Sequence, residues 1–124
     1  MGVRRPVGRP SRCTCAHGTV VSQVFPYERS IGSPMVKEML ELLGPQRRDE
    51  ATPAMLEGFA AAKVLVEALR RAGANPTADR IRTALEGFKR VDIGGLEVSY
   101  SPTDHTGLDY SDLSIIGSDG RFRR

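Results

Sequence analysis

Asp104 and His105 stand side by side near the end of the chain, a carboxylate next to an imidazole, the pairing used to orient and move a proton. No motif places a Ser, Cys or Lys nucleophile beside them, so the pair is read as part of a solvated loop rather than as a catalytic dyad. Asp104, Asp109, Asp112 and Asp119 add carboxylates over the same stretch, but not at the positions of an EF-hand calcium loop. Turn and loop roles account for them. Cys13-Thr14-Cys15-Ala16-His17 puts three soft ligands within five residues, whereas tetrahedral zinc takes four at wider spacing. The sequence has no Gly-rich phosphate loop, no Gly-x-Ser-x-Gly elbow and no His-Glu-x-x-His run. No catalytic residue, metal or cofactor is expected.

The charge sits unevenly. Of 18 Lys and Arg, four (Arg4, Arg5, Arg9 and Arg12) lie in the first 17 residues with no acid among them. That leaves 14 bases against 15 acids in the remainder, so the net charge of +3 belongs to the tail. Val7-Gly8-Arg9-Pro10 is one residue from the Arg-Gly-Arg-Pro core that reads a DNA minor groove, but Val7 stands where the groove-entering Arg is needed. Nucleic-acid binding through this tail is the alternative reading; a basic face on a folded element is what would favour it. Both cysteines lie in the tail with one residue between them, a spacing against an ordinary stapling disulfide. Nothing approaches the roughly 20 apolar residues of a membrane span. Residues 1–17 hold no apolar core of a secretory signal, so the chain as written is expected in the cytoplasm.

The elements that must position any site come next. Residues 1–17, with Pro6, Gly8 and Pro10, read as a basic disordered extension, and residues 18–124 as the folded segment. Thr19-Val20-Val21-Ser22-Gln23-Val24-Phe25, ended by Pro26, predicts a buried strand. Ser33-Pro34 predicts a capped helix start, with Met35, Val36, Met39, Leu40, Leu42 and Leu43 on its apolar side and Gly44-Pro45 as its stop. Thr52-Pro53 opens a second helix in the same way. Its stripe is Met55, Phe59, Ala62, Val66 and Leu69, widened by Leu56, Ala60 and Leu65, with Arg70 and Arg71 at the C-terminal dipole before Gly73. Thr77 or Asn75 caps a third, whose face is Ile81, Ala84, Leu85 and Phe88. The period then drops to two: Leu96, Val98 and Tyr100 alternate with Glu97 and Ser99, and a second strand covers about Tyr110 to Ile116, with a polar loop between. Strand, three helices and closing strands predict an α/β layer packing.

In combination, Val20-Val21-Ser22-Gln23-Val24-Phe25-Pro26, Glu57-Gly58-Phe59-Ala60-Ala61-Ala62-Lys63 and Gly94-Gly95-Leu96 followed by Ser101-Pro102-Thr103-Asp104-His105-Thr106-Gly107 carry a resemblance. The chain resembles the C-terminal portion of the type I periplasmic solute-binding proteins of ABC transporters, in the branched-chain amino acid (leucine-binding) branch. The resemblance covers about residues 18 to 122. It implies a partial α/β fold with an incomplete sheet, drawn from two lobes that close on a small amino-acid-like solute and are read by a membrane permease. The family is periplasmic and performs no chemistry on its ligand.

The same resemblance implies the sites. Glu57, at the opening of the second helix, would lie near the cleft and meet a ligand ammonium; as a first-turn carboxylate it would equally favour the helix dipole. Phe59 would touch ligand from that turn, or belong to the core by its spacing with Ala62 and Val66. Phe25 and Pro26 would mark a lobe crossover and act as a hinge. The family's N-terminal part is missing from the sequence, so the chain is expected to be a truncated form unable to grip solute by itself. Unpaired sheet edges would then favour a homodimer.

Overall fold

Three helices are set by their ends and their apolar spacing in the computed structural model, which describes residues 16–120, 122 and 123. The Arg-rich tail and its Cys13 and Cys15 lie outside the described residues, so the readings made on them do not enter below. The elements are β1 (Val20–Gln23), α1 (Pro34–Leu43), a 3-10 turn (Arg48–Glu50), α2 (Pro53–Ala72), α3 (Ala78–Glu86), β2 (Val91–Asp92), β3 (Glu97–Ser101), β4 (Asp104–Leu108), β5 (Asp112–Ile116) and β6 (Phe122–Arg123). They fall into two units, one of Gln23–Asp112 and one of the residues before and after it.

In the larger unit, Thr52 accepts a bond from the Met55 amide (3.2 Å) at the start of α2, and Thr77 one from the Arg80 amide (3.3 Å) at the start of α3. Both hydroxyls satisfy amides that a helix start leaves unpaired. Ser33 was expected to do the same for α1 and does not: its side chain makes no cap bond, and its Oγ is buried without a partner. Pro34 still opens the helix, and the Met35 amide is taken instead by the Gly94 carbonyl (2.9 Å). A backbone contact from a hairpin has replaced the local cap.

The core of this unit joins Met35, Val36, Met39 and Leu40 of α1 with Leu56, Ala60 and Ala68 of α2, and with Phe88, Ile93, Leu96 and Val98 from the segment after α3. The period expected for α2 is present, but the buried line is turned from the expected one. Leu56, Ala60 and Ala68 face inward, while Ala62, Leu65, Val66 and Leu69 are exposed. Small alanines let α2 approach the core closely, and the bulkier stripe is left outside. In α1, likewise, Leu42 is exposed.

Antiparallel β2, β3 and β4 form a small sheet with Val91 opposite Val98 and Ser99 opposite Gly107. The stretch expected as a polar loop is therefore mostly a strand: β4 holds Asp104, His105 and Thr106, and only Pro102 and Thr103 turn. Its residues are polar because it is an edge strand with an exposed outer side, where alternation with apolar residues is not required. Tyr100 lies across Gly107; a Cβ there would come within 2.6 Å of its ring and hydroxyl. Gly107 also has φ near +79°, so both shape and backbone require glycine.

The smaller unit is a three-stranded sheet in the order β1-β5-β6. The Gly18 amide donates to Ile116 O (2.9 Å) and the Ile116 amide to Thr19 O (3.0 Å). β5 pairs antiparallel with β6, Ile116 opposite Phe122. β1 was expected to be buried, yet Val20 is 58% exposed. In β5, Ser114 is buried while Leu113 and Ile115 are exposed, the reverse of a water-facing alternation.

Candidate functional site

The helix that carries Phe59 also frames a highly charged groove of the larger unit. Lys63 follows Phe59 by one turn of α2 and its Nζ lies 5.6 Å from the ring centroid, within cation–π range. From α1, Glu38 reaches the same ammonium and pairs with it. One turn on, Glu67 accepts from Arg71 Nε at 2.8 Å and lies 3.9 Å from an Arg70 nitrogen. Across the groove, Asp92 Oδ1 accepts from the Gly94 and Gly95 amides at 2.8 and 2.6 Å. These two amides, with help from Lys63, hold the Asp92 carboxyl below the usual carboxylate range. Phe59, Ala62, Val66 and Ile93 give the groove its apolar lining, and it encloses about 410 Å³, within the range of small-molecule pockets.

This arrangement has acids and bases around an apolar lining, the chemistry needed to hold a small zwitterion. Lys63, Glu67 and Asp92 are each engaged within the chain, so a ligand must exchange partners with them. Arg70 is the most available cation, since its side chain is 75% exposed and its pairing distance is long. No serine, cysteine or histidine lines the groove. What is assembled offers a small solute an apolar surface and charges of both signs.

The residues singled out from sequence are placed as follows. Phe59 is half-buried and lines the groove. Glu57 is exposed on α2 and is not among the groove residues. Phe25 is half-buried against the core of the larger unit and Pro26 is buried, both just past the division at Ser22 and Gln23. Asp104 and His105 are turned to different partners. Asp104 Oδ1 accepts from the Thr106 hydroxyl (2.7 Å) and amide (3.0 Å), which lower its pKa, while His105 Nε2 lies 3.6 Å from Glu86. Among the described residues, no three His, Cys, Asp or Glu side chains gather as metal ligands, and no helix is long and apolar enough to cross a membrane.

Sequence reading missed Glu38, Lys63, Glu67 and Asp92. Lys63 was within reach, four residues after Phe59 on one helix face. The Asp92-Ile93-Gly94-Gly95 turn also carried a signal, a carboxylate two residues before paired glycines. The Glu38–Lys63 pairing spans 25 positions and had none.

No protein-family model matches the chain, and no curated protein does. Solved structures do. A substrate-binding periplasmic protein from Ralstonia solanacearum is 31% identical with a TM-score of 0.74 over 86% of this chain. An extracellular ligand-binding receptor from Verminephrobacter eiseniae is 27% identical, again with a TM-score of 0.74, over 88%. The chain carries part of a type I periplasmic-binding-protein fold. It spans 31% of the length of each of these two structures. The α/β architecture expected from a strand, three helices and closing strands is the one observed.

Proposed function

We propose that the chain serves a solute-binding protein of an ABC transporter, taking up an amino-acid-like solute of the branched-chain type and presenting it to a membrane permease. The observation that carries this is the match over most of the chain to a substrate-binding periplasmic protein at 31% identity. The α2 groove adds a chemical reason. It offers an aliphatic and aromatic lining of Phe59, Ala62 and Val66 for a branched side chain, and both signs of charge for an ammonium and a carboxylate. In this reading Phe59 faces the solute from the groove, Glu57 stands outside the groove lining on the exposed side of α2, and Phe25 and Pro26 belong to the crossover about which closure turns. A homodimer formed through exposed sheet edges is the second part of the proposal.

The test is a thermal melt of the 124-residue chain with leucine, isoleucine, valine, their amides and the corresponding 2-keto acids. A ligand bound only by the native state raises the midpoint. A rise with the amino acids and not with the keto acids is expected, because only the amino acids bring an ammonium that can exchange for Lys63 or the arginines at Glu38 and Glu67. A response confined to solutes without an ammonium overturns the amino-acid assignment. A midpoint that none of them moves overturns solute gripping by the α2 groove in this chain and supports instead the truncated form that holds no solute alone.

A further inference from the structure

A second groove in the larger unit has different chemistry. Its walls are Val64 of α2, Ile81 and Leu85 of α3, and Tyr100 of β3, and it encloses about 590 Å³. Tyr100 is a fixed wall: its ring packs at 6.0 Å from Phe88, and it lies across Gly107, where no side chain fits beneath it. Three charged or titratable groups stand on the rim, and two of them, Glu86 and His105, face each other at 3.6 Å. The third is Arg82, whose guanidinium has no ion-pair or hydrogen-bond partner among the described residues. The Tyr100 hydroxyl has no hydrogen-bond partner among them either.

An apolar trough with one uncommitted cation and one uncommitted hydroxyl is complementary to a monoanion with an apolar body. We infer that this groove binds a small amphiphilic carboxylate, the alkyl or aryl part against Val64, Ile81, Leu85 and Tyr100 and the carboxylate on Arg82. A zwitterion is disfavoured here, because Glu86, the one acid on the rim, is already faced by His105. The site is separate from the α2 groove and needs none of its residues.

The experiment titrates the whole chain with octanoate, 1-octanol and octylamine, followed by ligand-observed NMR, and repeats it with Arg82→Gln and Leu85→Glu. Arg82 is exposed, so its replacement leaves the fold intact, which the thermal midpoint checks. Octanoate is expected to bind more tightly than octanol, and octylamine least. Arg82→Gln is expected to weaken octanoate about fivefold, as fits a solvent-exposed ion pair, and to leave octanol unchanged. Leu85→Glu is expected to remove binding of both. Equal affinities for octanoate and octanol, or an Arg82→Gln chain that binds octanoate as before, overturns the inference. Leucine binding is measured in the same samples: its failure with octanoate bound refutes the amino-acid reading alone, and the reverse refutes only this groove.

Discussion

Two residues show how single side chains hold the sites in place. Asp92 takes two backbone amides through one oxygen, and these bonds lower its pKa. A carboxyl depressed in the folded state contributes stability that is present above its unfolded pKa and is lost as pH falls through the folded value. Asp92→Asn is therefore expected to lower the midpoint at pH 7 by roughly 2–4 °C, given that the residue is solvent-exposed. The gap to wild type should shrink as the pH drops below the ordinary carboxylate range. Melts at pH 7, 4 and 3 check this, and a gap that stays constant counts against the amide bonds as its source. Gly107 acts by absence. Gly107→Ala puts a methyl into the ring of Tyr100 at positive φ and is expected to cost about 1–3 kcal/mol, read by denaturant unfolding. It should also weaken octanoate binding while Arg82 is untouched.

At the level of elements, the three helix starts look alike in sequence and differ in structure. Thr52→Ala and Thr77→Ala each remove a hydroxyl that accepts a backbone amide and are expected to cost about 1 kcal/mol. Ser33→Ala removes a buried hydroxyl that bonds nothing and is expected to be neutral or stabilising. Urea unfolding of the three variants checks the ranking, and a cost at Ser33 equal to that at Thr52 refutes it. The same comparison shows what sequence can and cannot disclose. Ser-Pro and Thr-Pro starts for the first two helices, a Thr77 or Asn75 cap for the third, glycine stops and helical spacing located all three, because those signals act within one turn. They did not say which side of α2 faces inward. That depends on alanines joining Met35, Val36 and Phe88 in one buried cluster, a long-range choice between two apolar lines. β4 escaped notice because an edge strand of Asp, His and Thr is held by pairing to β3, not by its own composition. The candidate groove was legible at Phe59 for the same local reason; Asp92 carried a turn signal but nothing that joined it to Phe59, and Glu38 carried none, since both arrive from other elements.

For the whole molecule the question is which exposed edge another copy would join. Edge strands with free amides and carbonyls pair readily unless charge or shape blunts them. β4 is blunted, since Asp104 and His105 stand along it. β1 is not: Val20, Val21, Ser22 and Gln23 carry no charge, and Val20 is 58% exposed. In the smaller unit, Leu113 and Ile115 of the neighbouring strand β5 add apolar surface at 64% and 49% exposure. A homodimer built on sheet edges should therefore use β1, with chains pairing along Val20–Gln23. Sedimentation velocity across a concentration series is expected to show the mass rising from 13.5 kDa toward twice that value. Val20→Lys sets a like charge on both copies at the shared edge, where opposed lysines repel and a lysine is hard to desolvate. It is expected to hold the chain at monomer mass without lowering the thermal midpoint, because Val20 is mostly in water. His105→Ala, on the blunted edge, should leave association unchanged. If the wild-type chain stays monomeric at every concentration, the homodimer is refuted; if Val20→Lys associates like wild type while His105→Ala does not, the joining edge is β4 and the charge argument fails.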